Sequence, residues 1–159
     1  MVEFSKIISG KWRSGLVLLF VILVLGVAFS IIYGGNLKQT KIFIGDRFIY
    51  ADVAETPESR SQGLSFRRSL GVNEGMLFIF DTLGNYGFWM KDMNFPIDIV
   101  WIKGNEVIGV EENIAPQPGK SLYELPIYYP PGMIDKVLEV SAGRAKTLGL
   151  SSGSVIKIR

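Results

Sequence analysis

Phe88–Ile102 reads FWMKDMNFPIDIVWI, and its two halves follow different rules. From Ile97 onward the run is β-branched and aromatic on both parities, the composition of a strand with two covered faces. Pro96 holds Phe95 extended and opens that strand. Before it, an extended chain places Phe88, Met90 and Asp92 on one face and Trp89 and Lys91 on the other. Past Pro96, Asp98 shares its face with Val100 and Ile102, while Ile97, Ile99 and Trp101 point the opposite way. A carboxylate in such a strand must be paired or hydrogen-bonded. Arg67, Lys91 or main-chain N–H groups of a loop could do this.

Working outward, short β segments alternate with Gly and Pro punctuation. Lys103–Glu106 is a tight turn into a strand Val107–Ile114, and Gly75–Phe80, GMLFIF, suits a buried strand. Asp81–Gly87 reads as a hairpin-like connection back into Phe88–Lys91. Lys41–Ala54 is two strands or one bent strand pivoting at Gly45-Asp46, with Ile49, Ala51 and Val53 on its apolar face. Thr56-Pro57 opens a short helix, with Thr as N-cap and Pro at the first helical position, and Gly63 ends it. Arg67 and Arg68 follow on a loop. Ala115–Gly132 holds five of the seven prolines and three tyrosines, a loop lying over the domain either as plain surface or as a lid. Lys136–Val140 is a strand, Ala145–Leu148 a helical turn ended by Gly149, and Val155–Ile158 a closing strand. This pattern predicts a β-dominated α+β fold, a compact β-barrel-like domain with two short helices, preceded by one N-terminal transmembrane helix.

That helix is the nineteen-residue run Gly15–Tyr33, whose only polar residue is Ser30. As a helix it would span roughly 28 Å, close to the ~30 Å hydrocarbon core of a bilayer. Lys6, Lys11 and Arg13 precede it and favour a cytoplasmic N-terminus. The division expected is a cytoplasmic tail over 1–14, a signal anchor over 15–33, a linker over 34–40 and an extracytoplasmic domain over 41–159. A cleavable signal peptide is the competing reading, but the apolar run exceeds a usual h-region and ends without a small-x-small site.

Composition removes many chemistries. With neither Cys nor His in 159 residues, disulfides, thiolate catalysis, thiolate metal sites and a Ser-His-Asp triad are excluded. Chemistry would have to run on carboxylates, Lys, Arg, Tyr, Ser or Thr. The formal charge of +2 belongs to the N-terminal segment, because residues 36–159 carry 14 basic and 14 acidic side chains. Nucleic acid is therefore not an expected partner. Phosphate-loop, dinucleotide, nucleophile-elbow and Ca²⁺-loop signatures are missing from the sequence, so neither cofactor nor metal is expected.

The ligand-binding candidates are Arg67, Trp89, Met90, Lys91, Asp92 and Asp98, and no catalytic residue is assigned. Trp89 could offer a stacking face, although such aromatics more often fill a core. Lys91 among aromatics and methionines could hold a polar ligand or simply snorkel to water. Asp92 and Asp98 could work as an acid–base pair, or serve as a turn residue and a loop tie. Six residues of straight strand would part them by roughly 20 Å, so the pair requires a turn at Met93–Phe95.

Gly63-Leu64 followed by Arg67, then Gly75-Met76-Leu77-Phe78, Phe88-Trp89-Met90-Lys91, Pro96-Ile97-Asp98-Ile99 and Trp101-Ile102, resembles the DUF192 family. Val137-Leu138-Glu139-Val140, Ala142-Gly143 and Gly149 extend the likeness over about residues 41–159. Ser65, where Met is frequent, and Asp92, where Asn is frequent, depart from it. The resemblance implies a small β-barrel-like domain, often exported or membrane-anchored, with no established activity. It marks Arg67, Trp89, Met90, Lys91 and Asp98 as site candidates. The expected function is binding of a small polar ligand or envelope component, with a carboxylate-based envelope hydrolase acting on glycans, or a structural docking module, as alternatives.

Overall fold

The computed structural model describes Gly15, residues 17–21 and residues 37–159. The chain divides into two units, Met1–Asn36 and Leu37–Arg159. In the first, Gly15 and residues 17–21 are helical; the rest of the anchor expected over 15–33 lies outside the described residues. Among the described residues no helix is long and apolar enough to cross a membrane.

The second unit follows the punctuation of its sequence. Strands β1 (Gln39–Ile44) and β2 (Arg47–Ala54) form a hairpin about Gly45-Asp46, where Gly45 takes φ +60°. Helix α1 (Pro57–Gln62) begins at a capping box in which Thr56 and Ser59 satisfy each other's main-chain N–H. Strand β3 (Glu74–Gly84) then runs parallel to β2, so α1 is the crossover between them. Strands β4 (Ile97–Lys103), β5 (Glu106–Ile114) and β6 (Ile134–Ser141), helix α2 (Arg144–Leu148) and strand β7 (Ile156–Ile158) complete the unit. A 3-10 turn at Leu122–Glu124 interrupts the proline-rich loop.

Among the described residues the strands form one sheet in the order β5-β4-β6-β3-β2-β1-β7. The expected barrel appears as a half-barrel, a curled sheet whose outermost strands are tied at one end. There Glu106 bridges Val155, and the Val107 N–H donates to the Ser154 carbonyl at 2.8 Å. Alternation along each strand separates two cores. The inner face packs Ile42, Ile49, Leu77, Val100, Leu138 and Val140 with Ala145 and Leu148 of α2. The outer face of β3, β6 and β4 carries Met76, Phe78, Val137, Ile99 and Trp101, packed with Leu64, Phe88, Met90 and Tyr128 from the loops. Each fully buried Leu or Ile in these layers contributes about 1.5–3 kcal/mol.

Phe88–Lys91 departs from the expected hairpin. β3 continues to Gly84 through a register shift against β6 between Ile79 and Gly84. Phe88 instead exchanges main-chain hydrogen bonds of 2.9 and 2.8 Å with Tyr128. The proline-rich loop thus clamps the stretch onto the outer face. Phe88 meets Phe78 and Trp101 edge-on, with ring centroids 4.9 and 5.6 Å apart. The predicted alternation holds as far as Lys91, with Met90 buried and Trp89 and Lys91 exposed. It ends at Asp92, whose φ of +53° turns the chain.

Candidate functional site

Two acidic side chains are buried among the described residues, Asp98 and Glu139. They lie on adjacent antiparallel strands, with Asp98 opposite Val140 and Ile99 opposite Glu139. This offset of one residue sends them to opposite faces of the sheet.

Asp98 faces the inner core, as its parity with Val100 and Ile102 predicts. Its Oδ1 accepts from the main-chain N–H of Asn113 at 2.9 Å and of Gly143 at 3.0 Å, and its Oδ2 from that of Ala145 at 2.9 Å. The carboxylate pins the start of α2 and the end of β5 to β4. It reaches neither Lys91 nor Arg67, and its geometry is that of the loop tie, one of the two readings open from sequence. Strand β4 keeps its carboxylate because three amide donors, from the end of β5 and the start of α2, converge there.

Glu139 faces outward beneath a cleft of about 300 Å³. The cleft lies between α1 with its following turn and the Tyr86–Met93 stretch. Phe78, Phe80, Tyr86, Phe88 and Leu64 line it, Trp89 and Lys91 stand at its mouth, and Glu139 is its sole acid among the described residues. Burial pushes the Glu139 carboxyl up to about 8, while the Arg67 guanidinium pulls in the opposite direction. Near neutral pH the group is thus a carboxylic acid that can donate as well as accept a hydrogen bond.

The walls are fixed by side chains already in use. Phe80 and Tyr86 stack with centroids 3.7 Å apart, and Tyr86 donates to the Thr82 carbonyl at 2.9 Å. Arg60 donates from Nη1 to the carbonyls of Glu55 and Ile79, both at 2.8 Å, and lies over the Phe80 ring. A Cβ at Gly63 would approach the Phe78 ring to 3.3 Å, so its absence lets the end of α1 sit against the aromatic wall. The 64–67 and 91–94 turns are stitched by three bonds. Ser65 Oγ donates to the Lys91 carbonyl at 2.8 Å, the Phe66 N–H to the Asp92 carbonyl at 2.9 Å, and Asn94 Nδ2 to the Arg67 carbonyl at 2.8 Å.

The six sequence-derived candidates therefore part company. Trp89, with 44% of its surface exposed, and Lys91 meet at the cleft mouth above Glu139. Arg67 pairs with Asp52 at 2.6 Å on the flank, where Asp52 also accepts from Gln39. Met90 is buried in the outer core; with Lys91 and Asp92 it also borders a smaller hollow of about 160 Å³ under Gln117–Lys120. Asp92 serves the turn through its positive φ, which Asp and Asn tolerate better than most residues, and its carboxylate lies 3.6 Å from Lys91 Nζ. Asp92 and Asp98 share no cleft, so the acid–base pair considered from sequence is not assembled. Glu139 was missed by the sequence reading, although Val137-Leu138-Glu139-Val140 carries the same signal as Ile97-Asp98-Ile99-Val100: an acid inside an apolar strand. Among the described residues no group of three or more His, Cys, Asp or Glu could hold a metal ion.

A half-barrel whose outer face is roofed by a crossover helix and a clamped loop, with a buried acid under an aromatic cleft, defines the class of domain. The chain belongs to the DUF192 family, described as "Uncharacterized ACR", which matches residues 40–158. Among solved structures it is similar to a Sinorhizobium meliloti protein provisionally described as a transcription regulator. That likeness has 27% identity and a TM-score of 0.66, over 76% of this chain and 92% of that one. It is also similar to a Novosphingobium aromaticivorans protein of unknown function, at 25% identity and a TM-score of 0.64, over 75% of this chain and 83% of that one. No curated protein matches the chain.

Proposed function

We propose that the domain is a binding module for a small ligand, seated in the cleft above Glu139 and tethered to a membrane by the apolar run 15–33. The observation that carries this reading is the placement of a desolvated carboxyl under an aromatic-lined opening. Burying an acid with so little compensation is unfavourable for folding, and such groups concentrate where a site needs them. Lys91 and Trp89 at the mouth supply a charge-assisted donor and a stacking face, the roles the sequence suggested for them. Arg67 acts from the flank by holding Asp52 and biasing Glu139.

The tether rests on sequence: nineteen residues broken only by Ser30, preceded by Lys6, Lys11 and Arg13, which favour an extracytoplasmic domain. The Sinorhizobium protein's description as a regulator finds no electrostatic support here, because acidic and basic side chains balance over 36–159.

Native mass spectrometry of the full chain in mild detergent, followed by small-molecule identification after denaturation, tests the binding reading. A retained molecule that is lost in Lys91→Ala and Trp89→Ala variants is expected; retention unchanged in both would count against it. Carbonate extraction and protease protection of membranes test the tether. The chain should stay in the pellet with its C-terminal domain cleaved only from the extracytoplasmic side.

A further inference from the structure

The polarity of the cleft deepens this reading, on which the inference rests. Its lining offers two formal cations, Arg60 and Lys91, and Glu139 as its acid. The groups that act on Glu139 from its surroundings are Arg67 on the 64–67 turn, with Asp52 of β2 paired behind it. Arg60 of α1, Tyr86 and Lys91 share the cleft with it, and Asp92 lies outside beside Lys91. On the sheet itself Glu139 is flanked by apolar Met76 of β3 and Ile99 of β4. A ligand ammonium would enter beside Arg60 and Lys91, with Arg67 on the flank, and would first have to ionise a desolvated carboxyl. A ligand carboxylate meets the reverse situation: an ammonium at the mouth and an O–H donor at the floor, with aromatic rings between.

We propose that the cleft takes a small organic acid, its carboxylate on the Glu139 O–H at the floor and its apolar ring or branched body among Phe78, Phe80, Phe88 and Trp89, with Lys91 favouring the anion from the mouth. A volume of about 300 Å³ suits a compact molecule rather than a polymer chain. In the complex the Glu139 O–H donates to the ligand's carboxylate, so ligand and proton bind together. Ionising Glu139 puts two anions in one cleft, and affinity falls as pH rises past the carboxyl's value of about 8.

Titration calorimetry of the full chain in mild detergent, with phenylacetate, phenethylamine and benzyl alcohol as probes at pH 6.5 and 9, tests this. Phenylacetate is expected to bind at pH 6.5 and at least about fivefold more weakly at pH 9, with phenethylamine weaker than either other probe at pH 6.5. Glu139→Gln, which keeps an N–H donor, should retain phenylacetate and lose most of that pH dependence. Preference for phenethylamine, or a phenylacetate affinity equal at both pH values, overturns the inference while leaving the cleft a binding site. No heat from any of the three probes at either pH overturns the inference, and the binding reading falls with it only if native mass spectrometry also finds no retained molecule.

Discussion

Asp98 and Glu139 are a natural pair of controls for each other. Both are buried acids in apolar strands, one register step apart on neighbouring strands, and the sheet points them to opposite sides. On the inner side, helix α2 and the end of β5 bring three amide donors to Asp98. On the outer side, α1 and the Phe88–Met93 stretch leave an opening over Glu139, and desolvation raises its pKa to about 8. The same local sequence pattern thus yields a tie in one layer and a poised acid in the other. What differs is the cover, and the cover is set by chain segments far away in sequence.

Breaking the tie should have the largest effect. Asp98→Ala leaves three donors without an acceptor in a sealed site and should lower unfolding stability by roughly 3–5 kcal/mol, measured by urea denaturation of the full chain. A loss under 1 kcal/mol would remove the contrast.

Glu139→Gln should act in the opposite direction. Below about pH 4.5 the wild-type carboxyl is protonated both folded and unfolded and makes no difference. Between that value and about 8 the unfolded chain ionises while the folded one keeps its proton, so wild-type stability falls as pH climbs and levels off above. At about 1.4 kcal/mol per pKa unit, the variant should gain up to a few kcal/mol relative to wild type across that window. Denaturant midpoints at pH 5 and pH 8.5 measure the difference.

The legible part of the fold was the part written in local chemistry. The turn at Gly45-Asp46, the Thr56 cap with Pro57, the stop at Gly63 and the opening of β4 at Pro96 all stand where turn and cap rules put them. The alternation of an extended run also puts Trp89 and Lys91 on one face, and that face is exposed. The hairpin return of Phe88 failed because its N–H is claimed by Tyr128, forty residues on and invisible to any local rule. Glu139 went unread for a related reason. Parity shows that an acid is in a strand, but only the packed loops decide whether amides or a cleft lie above it.

Smaller effects sharpen the cleft's side of the comparison. Thr56→Ala removes the cap of α1, one wall of the cleft, and should lower stability by about 1 kcal/mol in thermal or urea unfolding. Trp89→Ala, at a side chain 44% exposed, should change stability by under about 0.5 kcal/mol while weakening retention of a cleft-bound molecule. Separate losses in the two variants would show that the wall serves the fold and the rim serves the ligand.

The most direct measurement is a carbon-detected NMR titration of the Glu139 side-chain carboxyl in the full chain, assigned by its loss in Glu139→Gln. A midpoint near 8 is the predicted result. A midpoint near the ordinary glutamate value of 4.5 would contradict the account, because Glu139 would then be as well supported as any surface acid.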